Sequence, residues 1–96
     1  MSGYALTPRA RADLEAIWTY TAERWSVEQA DRYVALLHRA MQTAAVEPRL
    51  WRSCDDIRRG YFKHAAGSHV LFFRRDESGI VVVRILHRSM DFERHL

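Results

Sequence analysis

The sequence predicts an α+β fold of order β-α-α-β-β-β, in which a helical hairpin packs on an antiparallel β-sheet. Two observations predict it. Apolar residues recur at helical spacing through two adjacent segments of the first half, and segments rich in β-branched and aromatic residues follow in the second half. The 96 residues allow one modest core, so we expect residues 1–96 to form a single domain.

The first half begins with a short alternating segment, residues 4–6, which we expect to be an edge strand of the sheet. Thr7-Pro8 then provides a helix cap and a first-turn proline. Ser26, with Gln29 three residues on, forms a capping box, so a second helix starts directly after the first and ends before Pro48. The apolar stripes of the two helices are predicted to fill the core: Leu14, Ile17, Trp18, Trp25, Tyr33, Leu37 and Met41.

The second half has strand character separated by turn formers. We expect a loop over 49–56, strands over 57–64, 69–75 and 80–87, turns over 65–68 and 76–79, and one helical turn or irregular chain over 89–96. Successive strands of this kind favour an antiparallel meander with the helices on one face.

The two faces of the last hairpin differ in composition. If the turn at 76–79 closes it, Phe73 faces Val82, Leu71 faces Arg84 and His69 faces Leu86. The alternate residues are almost wholly apolar and are predicted to carry the helices: Val70, Phe72, Val81, Val83 and Ile85. The other face mixes apolar and basic residues and is predicted to be a partner groove. The alternative is that Arg84 only extends over its own sheet and His69 is a hydrogen-bonded rim residue, and a one-residue slip in register would exchange the faces.

Composition limits the function classes. No apolar run reaches the roughly 20 residues of a membrane helix, no signal peptide is visible, and Cys54 is the only cysteine, so we expect a cytoplasmic protein with neither a disulfide nor a zinc site. The net charge of +3 comes entirely from residues 51–96. A basic half suggests an acidic partner, although arginine-rich composition alone can produce it.

The sequence contains few of the motifs that indicate an enzyme. No phosphate-binding loop, dinucleotide fingerprint or zinc-protease motif is present, so no cofactor is expected, and nothing supports a triad of Ser68, His87 and Asp91. Metal-free RNA cleavage needs a base, an acid and a cation, which histidine and arginine can supply. Such residues lie in the basic half, but strict alternation predicts that His87 points away from His69. The candidates are His69, Arg74, Arg84, His87 and Arg88.

An ordered set of short motifs along nearly the whole chain resembles the ParE branch of the ParE/RelE toxin superfamily. The motifs are Leu6-Thr7-Pro8-Arg9-Ala10, Asp13-Leu14, Ile17-Trp18, Tyr20-Thr21-Ala22-Glu23-Arg24-Trp25, Gln29-Ala30, Tyr33, Gly60-Tyr61, Gly67-Ser68-His69-Val70, Arg84-Ile85-Leu86-His87 and Met90-Asp91.

This resemblance implies a bacterial growth inhibitor, of the kind that serves plasmid maintenance, together with a cognate antitoxin whose tail wraps the toxin. ParE-like toxins are associated with DNA gyrase, so gyrase is the expected target, with no sequence-specific DNA binding by the toxin alone. RelE-like relatives instead cleave mRNA on the ribosome. A third possibility is a degenerate domain without potent toxicity.

The site residues follow from these expectations. We assign antitoxin binding to residues of the face that mixes apolar and basic side chains: Leu71, Phe73, Arg84 and Leu86. We assign target binding to three residues of the basic C-terminal segment: Arg88, Asp91 and Arg94. No catalytic residue is expected of a gyrase inhibitor. In the ribonuclease alternative the resemblance points to His69 and His87, with Arg84 as the cation, although Met90-Asp91 replaces the tyrosine-bearing C-terminus of many ribosome-dependent members.

Overall fold

A helical hairpin lies on one face of a five-stranded sheet in the computed structural model, which describes residues 3–96. The elements are β1 (Gly3–Leu6), α1 (Pro8–Arg24), α2 (Val27–Val46), a 3₁₀ turn (Pro48–Leu50), β2 (Arg52–Ser53), β3 (Tyr61–Ala66), β4 (His69–Asp76), β5 (Gly79–His87) and α3 (Phe92–His95). The predicted α+β class and the order of its main elements are confirmed. The structure adds the two-residue strand β2 within the predicted loop.

The helix boundaries follow the capping residues. The Thr7 hydroxyl accepts a hydrogen bond from the Ala10 amide at 3.1 Å, and the Ser26 hydroxyl accepts one from the Gln29 amide at 3.0 Å. Each bond satisfies an amide that has no partner inside its own helix. The predicted starts of both helices are therefore confirmed. Among residues 3–96, neither long helix is apolar enough over its length to cross a bilayer.

The sheet order is β1-β5-β4-β3-β2. β1 lies at an edge, as predicted, but it pairs with β5 in parallel, whereas the other pairs are antiparallel. β3 starts at Tyr61, later than predicted, because the Cys54 carbonyl accepts hydrogen bonds from the amides of Ile57 and Arg58 and turns the preceding segment.

A β-bulge interrupts the last hairpin. Phe73 pairs with Val82 as predicted, but the next pair is Phe72 with Arg84, so Val83 is the extra residue on β5. Beyond it Leu71 pairs with Ile85 and His69 pairs with His87. The predicted pairs Leu71–Arg84 and His69–Leu86 are wrong, because one inserted residue shifts the register by one.

The face assignment is also wrong. The helices pack on the buried side chains of Leu71, Phe73, Ile80, Val82 and Ile85. The opposite face carries Val70, Phe72, Val83 and Leu86, and is covered by Phe92 and Leu96 and by the segment from Cys54 to Tyr61. Because both faces are buried, apolar character could not tell which of them receives the helices. Of the residues predicted to carry the helices, only Ile85 belongs to the core beneath them, because the bulge reverses the alternation after Val83.

The helical contribution to the core is smaller than predicted. Leu14, Leu37 and Met41 are buried, and Ile17 and Tyr33 are half-buried against them. Trp25, predicted to be a core residue, is 70% exposed. It is the C-cap of α1, where the chain leaves the helix and the helical spacing no longer holds. Trp18 is half-buried, and its indole N–H donates to Asp31 at 2.9 Å.

Candidate functional site

A cavity of about 560 Å³ opens between the end of α1, the start of α2 and the strand ends that hold His69 and His87. Aromatic and imidazole rings dominate its wall, and two of the aromatic residues are largely solvent-exposed: Trp25 at 70% and Tyr20 at 62%. The lining residues are Ala16, Ile17, Tyr20, Thr21, Trp25, Gln29, Tyr33, Ser68, His69 and His87. Exposed aromatic rings beside polar groups are typical of a binding site.

Tyr33 positions the turn at the base of this cavity. Its ring lies so close to Gly67 that a Cβ added there would sit 2.8 Å from the Tyr33 hydroxyl. Gly67 also has φ +59, a conformation that side-chain-bearing residues rarely adopt. The Ser68 amide donates to the Tyr33 hydroxyl at 2.9 Å. Glycine is therefore favoured at position 67 both by the backbone conformation and by the approach of Tyr33.

His69 is held as a neutral imidazole. Its Nδ1 lies 2.6 Å from the Tyr33 hydroxyl, which already accepts from Ser68 and so has its own proton to donate. We assign the hydroxyl proton of Tyr33 to this bond, which leaves the imidazole proton on Nε2. Burial, together with the neighbouring His87 and against the weaker effect of Asp13, lowers the pKa of His69 to about 4.

His87 lies directly across the strand pair from His69, with ring centroids 5.3 Å apart and planes at 86°. Its Nδ1 lies 2.7 Å from the Ser89 hydroxyl and accepts the Ser89 amide at 3.2 Å, so Nε2 carries the proton of the neutral ring. The expectation that His87 points away from His69 is wrong, because the bulge reverses the alternation beyond Val83. The two imidazoles form one site.

The bulge that creates this pairing is bound by side chains at the start of α1. The Thr7 hydroxyl donates to the Val83 carbonyl at 3.1 Å, and Asp13 accepts the Ile85 amide at 2.9 Å. Irregular backbone groups that the ladder leaves unpaired thus find partners on the helix. Residues about 75 positions away in sequence therefore set the histidine geometry, and local patterns on β5 carry no signal of it.

Arg84 does not join the histidines. Its guanidinium donates to both oxygens of Asp13, at 2.7 and 2.9 Å, and to the His95 carbonyl at 2.7 Å. The two side chains are only 13% and 16% exposed, and the hydrogen bond to Asp13 raises the pKa of Arg84. The nuclease set of His69, Arg84 and His87 is therefore only partly brought together.

The residues predicted to bind an antitoxin do not form a surface. Leu71 and Phe73 lie beneath the helices, Leu86 lies beneath the C-terminal segment, and all three are fully buried. Arg84 is committed to its ion pair. The physical cause is the exchange of faces and the cover over the second face, neither of which the alternation pattern encodes.

The residues predicted to bind the target lie together on the outside. Arg88, Asp91 and Arg94 are exposed, and their segment is held down by Phe92 against Phe72, with centroids 4.9 Å apart. An Asp91 oxygen accepts the Glu93 amide at 3.2 Å. Asp91 thus caps α3 and is not hydrogen-bonded to His87, whose Nδ1 is paired with Ser89, so no Ser68–His87–Asp91 triad is formed.

A second cavity, of about 460 Å³, lies at the β2–β3 edge. Four basic and four apolar residues line it: Arg49, Leu50, Arg52, Lys63, His64, Ala65, Val70 and Phe92. Burial lowers the pKa of His64, which keeps that ring neutral, and Arg49 is paired with Glu47 at 2.7 Å, so the net positive charge comes from Arg52 and Lys63. Within residues 3–96, no three histidine, cysteine or acidic side chains converge as they would around a metal ion.

Comparison with known proteins agrees with this architecture. The family model described as the ParE toxin of the type II toxin–antitoxin system parDE matches residues 4–92. Toxin ParE1 of Mycobacterium tuberculosis is 50% identical over 96 residues, covering 99% of this chain and 98% of the relative. Toxin ParE1 of Caulobacter vibrioides is 41% identical, covering 100% and 99%. A solved structure of a chromosomal ParDE toxin–antitoxin system from P. aeruginosa superposes with a TM-score of 0.77 at 19% identity, covering 91% of this chain and 96% of the solved one.

Proposed function

Because the chain belongs to the ParE toxin family of type II toxin–antitoxin systems, we propose that it inhibits DNA gyrase in the bacterial cytoplasm until a cognate antitoxin binds it. The observation that carries the choice of target surface is the exposed segment from Arg88 to Arg94. It presents two arginines and an aspartate on a backbone that Arg84 and Phe92 hold in place. A preorganised charged segment loses little conformational freedom on binding a protein.

We place antitoxin binding at the second cavity. An acidic, amphipathic tail needs cationic side chains for its carboxylates and an apolar floor for its other residues. Arg52 and Lys63 supply charge there, while Leu50, Val70 and Phe92 supply apolar surface. Charge complementarity of this kind steers association and fixes register.

A ribonuclease is the second candidate, and the His69–His87 pair favours it. Two imidazoles with centroids 5.3 Å apart, one partly buried and one exposed, supply two groups of the kind that transfer protons in RNA cleavage. Arg84, the cation predicted for that site, is not available to it, because Asp13 binds its guanidinium. The commitment of Arg84 to Asp13 argues against RNA cleavage by the set His69, Arg84 and His87.

The test is a gyrase supercoiling assay with purified chain. Arg88→Glu and Arg94→Glu should each weaken inhibition at least tenfold, since a charge reversal at an interface removes one attraction and adds a repulsion. The matched control is Arg9→Glu, another exposed arginine, in the first turn of α1, which should inhibit normally. Wild-type chain that leaves supercoiling intact but cuts ribosome-bound mRNA, with cutting lost in His87→Ala, would establish the ribonuclease instead.

The antitoxin surface is tested by calorimetric titration with the antitoxin tail. Arg52→Glu should weaken binding at least tenfold and leave the unfolding midpoint unchanged, since Arg52 is exposed. Arg9→Glu again serves as the control. Unchanged affinity in Arg52→Glu and Lys63→Glu would remove the second cavity from the antitoxin surface.

A further inference from the structure

We infer that the cavity between Trp25, Tyr20 and the two histidines binds a nucleobase of a single-stranded nucleic acid, without sequence specificity. No residue of the segment proposed to contact gyrase lines this cavity, although Arg88, the first residue of that segment, lies next to it. The site is also distinct from the second cavity, which has the cationic edge and lacks exposed aromatic rings. The inference depends on the chemistry of the cavity wall and does not require the gyrase assignment.

The aromatic residues provide the first part of the argument. Trp25 and Tyr20 are among the most exposed large apolar side chains of the described chain, and both face the same cavity. The fold does not use Trp25 as a core residue. Bases of single strands stack on such rings, and each stacked base contributes enough for alanine substitution to weaken binding about tenfold.

The imidazoles provide the second part. The hydrogen bonds from Tyr33 and Ser89 occupy Nδ1 of His69 and of His87, which leaves an Nε2–H donor on each ring. Base edges present carbonyl oxygens and ring nitrogens that accept such bonds. Two donors whose rings lie 5.3 Å apart beside aromatic surface therefore match a planar heterocycle better than they match an aliphatic side chain.

Charge at the rim provides the third part. The backbone of Arg88 lies beside the cavity, because its amide donates to the carbonyl of Ser68, a lining residue, at 3.0 Å. Arg24 directly precedes Trp25, another lining residue. Both arginines are exposed, and neither forms an ion pair within residues 3–96. Phosphates on either side of a bound base would meet these cations, which gives binding a marked salt dependence.

The experiment is fluorescence anisotropy of labelled eight-nucleotide single strands, one of DNA and one of RNA, with purified chain and no gyrase or ribosome present. Saturable binding is expected for at least one strand, with a duplex of the same sequence binding more weakly. Trp25→Ala and His69→Ala should each weaken it about tenfold. Arg88→Ala should reduce its salt dependence. Val46→Ala, which removes another exposed apolar side chain at the far end of α2, should change nothing.

NMR signals of the imidazole rings distinguish binding of the base from binding of the phosphate group. A nucleoside monophosphate should shift the His69 and His87 signals, and inorganic phosphate at the same concentration should not. The inference is overturned if no strand binds, if phosphate shifts both rings equally, or if Trp25→Ala binds as tightly as wild type. A difference between the DNA and RNA strands would identify which source supplies the base. Since gyrase is absent, a negative result leaves the supercoiling prediction standing.

Discussion

Asp13 and Arg84 form a two-pronged ion pair that joins the first helix to the last strand, with contacts of 2.7 and 2.9 Å. The same carboxylate accepts the Ile85 amide beside the bulge, and the same guanidinium donates to the His95 carbonyl. One pair therefore connects three separate segments, so its loss should affect both stability and the geometry of the histidine site.

Asp13→Ala should lower the free energy of unfolding by about 2–3 kcal/mol, because it leaves a largely buried guanidinium and a backbone amide without their acceptor. Urea unfolding measures this. Arg84→Met combined with Asp13→Leu should recover part of the loss, since no isolated charge remains. A loss under 0.5 kcal/mol in Asp13→Ala would mean that the pair is solvated and contributes little.

Leu37→Ala should cost about 2–5 kcal/mol, because Leu37 is fully buried between the hairpin and the sheet. The adjacent Leu36, 36% exposed, is the matched control, and Leu36→Ala should cost under about 1 kcal/mol. Chemical denaturation of both variants measures the contrast. Equal costs for the two changes would show that the helix is rotated relative to the described packing.

Gly67→Ala should destabilise the chain more than Gly60→Ala. Both glycines have positive φ, but an added Cβ at Gly60 meets nothing within 4 Å, whereas at Gly67 it meets Tyr33. Gly60→Ala should therefore cost about 1 kcal/mol for backbone strain alone, and Gly67→Ala about 1–2 kcal/mol more. Shortening the neighbour in Tyr33→Leu should remove the extra cost of Gly67→Ala. Equal costs at the two glycines, measured by thermal unfolding, would contradict the described approach.

The lowered pKa of His69 should make the folded state less stable in acid. Its pKa is about 4 in the fold against about 6.5 in an unfolded chain, so the unfolded state binds more protons between these values. Stability from the neutral ring is therefore complete above pH 6.5 and is lost as the pH falls toward 4. Burial lowers the pKa of His64 as well, which adds an effect of the same sign.

His69→Gln should make unfolding less dependent on pH across this window, as measured by urea midpoints at several pH values. An NMR titration should place the His69 midpoint near 4. A His69 midpoint above 6 would show that the ring is hydrated and would disprove the assigned environment.

The sequence predicted those parts of the fold that local chemistry determines. Thr7 and Ser26 marked the helix starts because capping acts within three residues. Prediction from the sequence failed where contacts between distant residues determine the structure. The bulge at Val83 depends on Thr7 and Asp13, and the choice of helix-bearing face depends on Phe92 and Leu96 covering the other side. The candidate cavity was missed for a related reason, because Trp25 continues a helical stripe in sequence but lies past the end of the helix.

The parallel pairing of β1 with β5 has a consequence for how the chain is made. Thr7 and Val83, which meet at this seam, are 76 positions apart, so the contact closes a loop that includes nearly every other element. Closing so long a loop is entropically costly and slow compared with forming the helical hairpin. During synthesis the bulge, the Asp13–Arg84 pair and the facing histidines must wait until residues 79–87 have left the ribosome. The histidine site therefore cannot exist in a partly synthesised chain and forms only at the end of synthesis, after both helices.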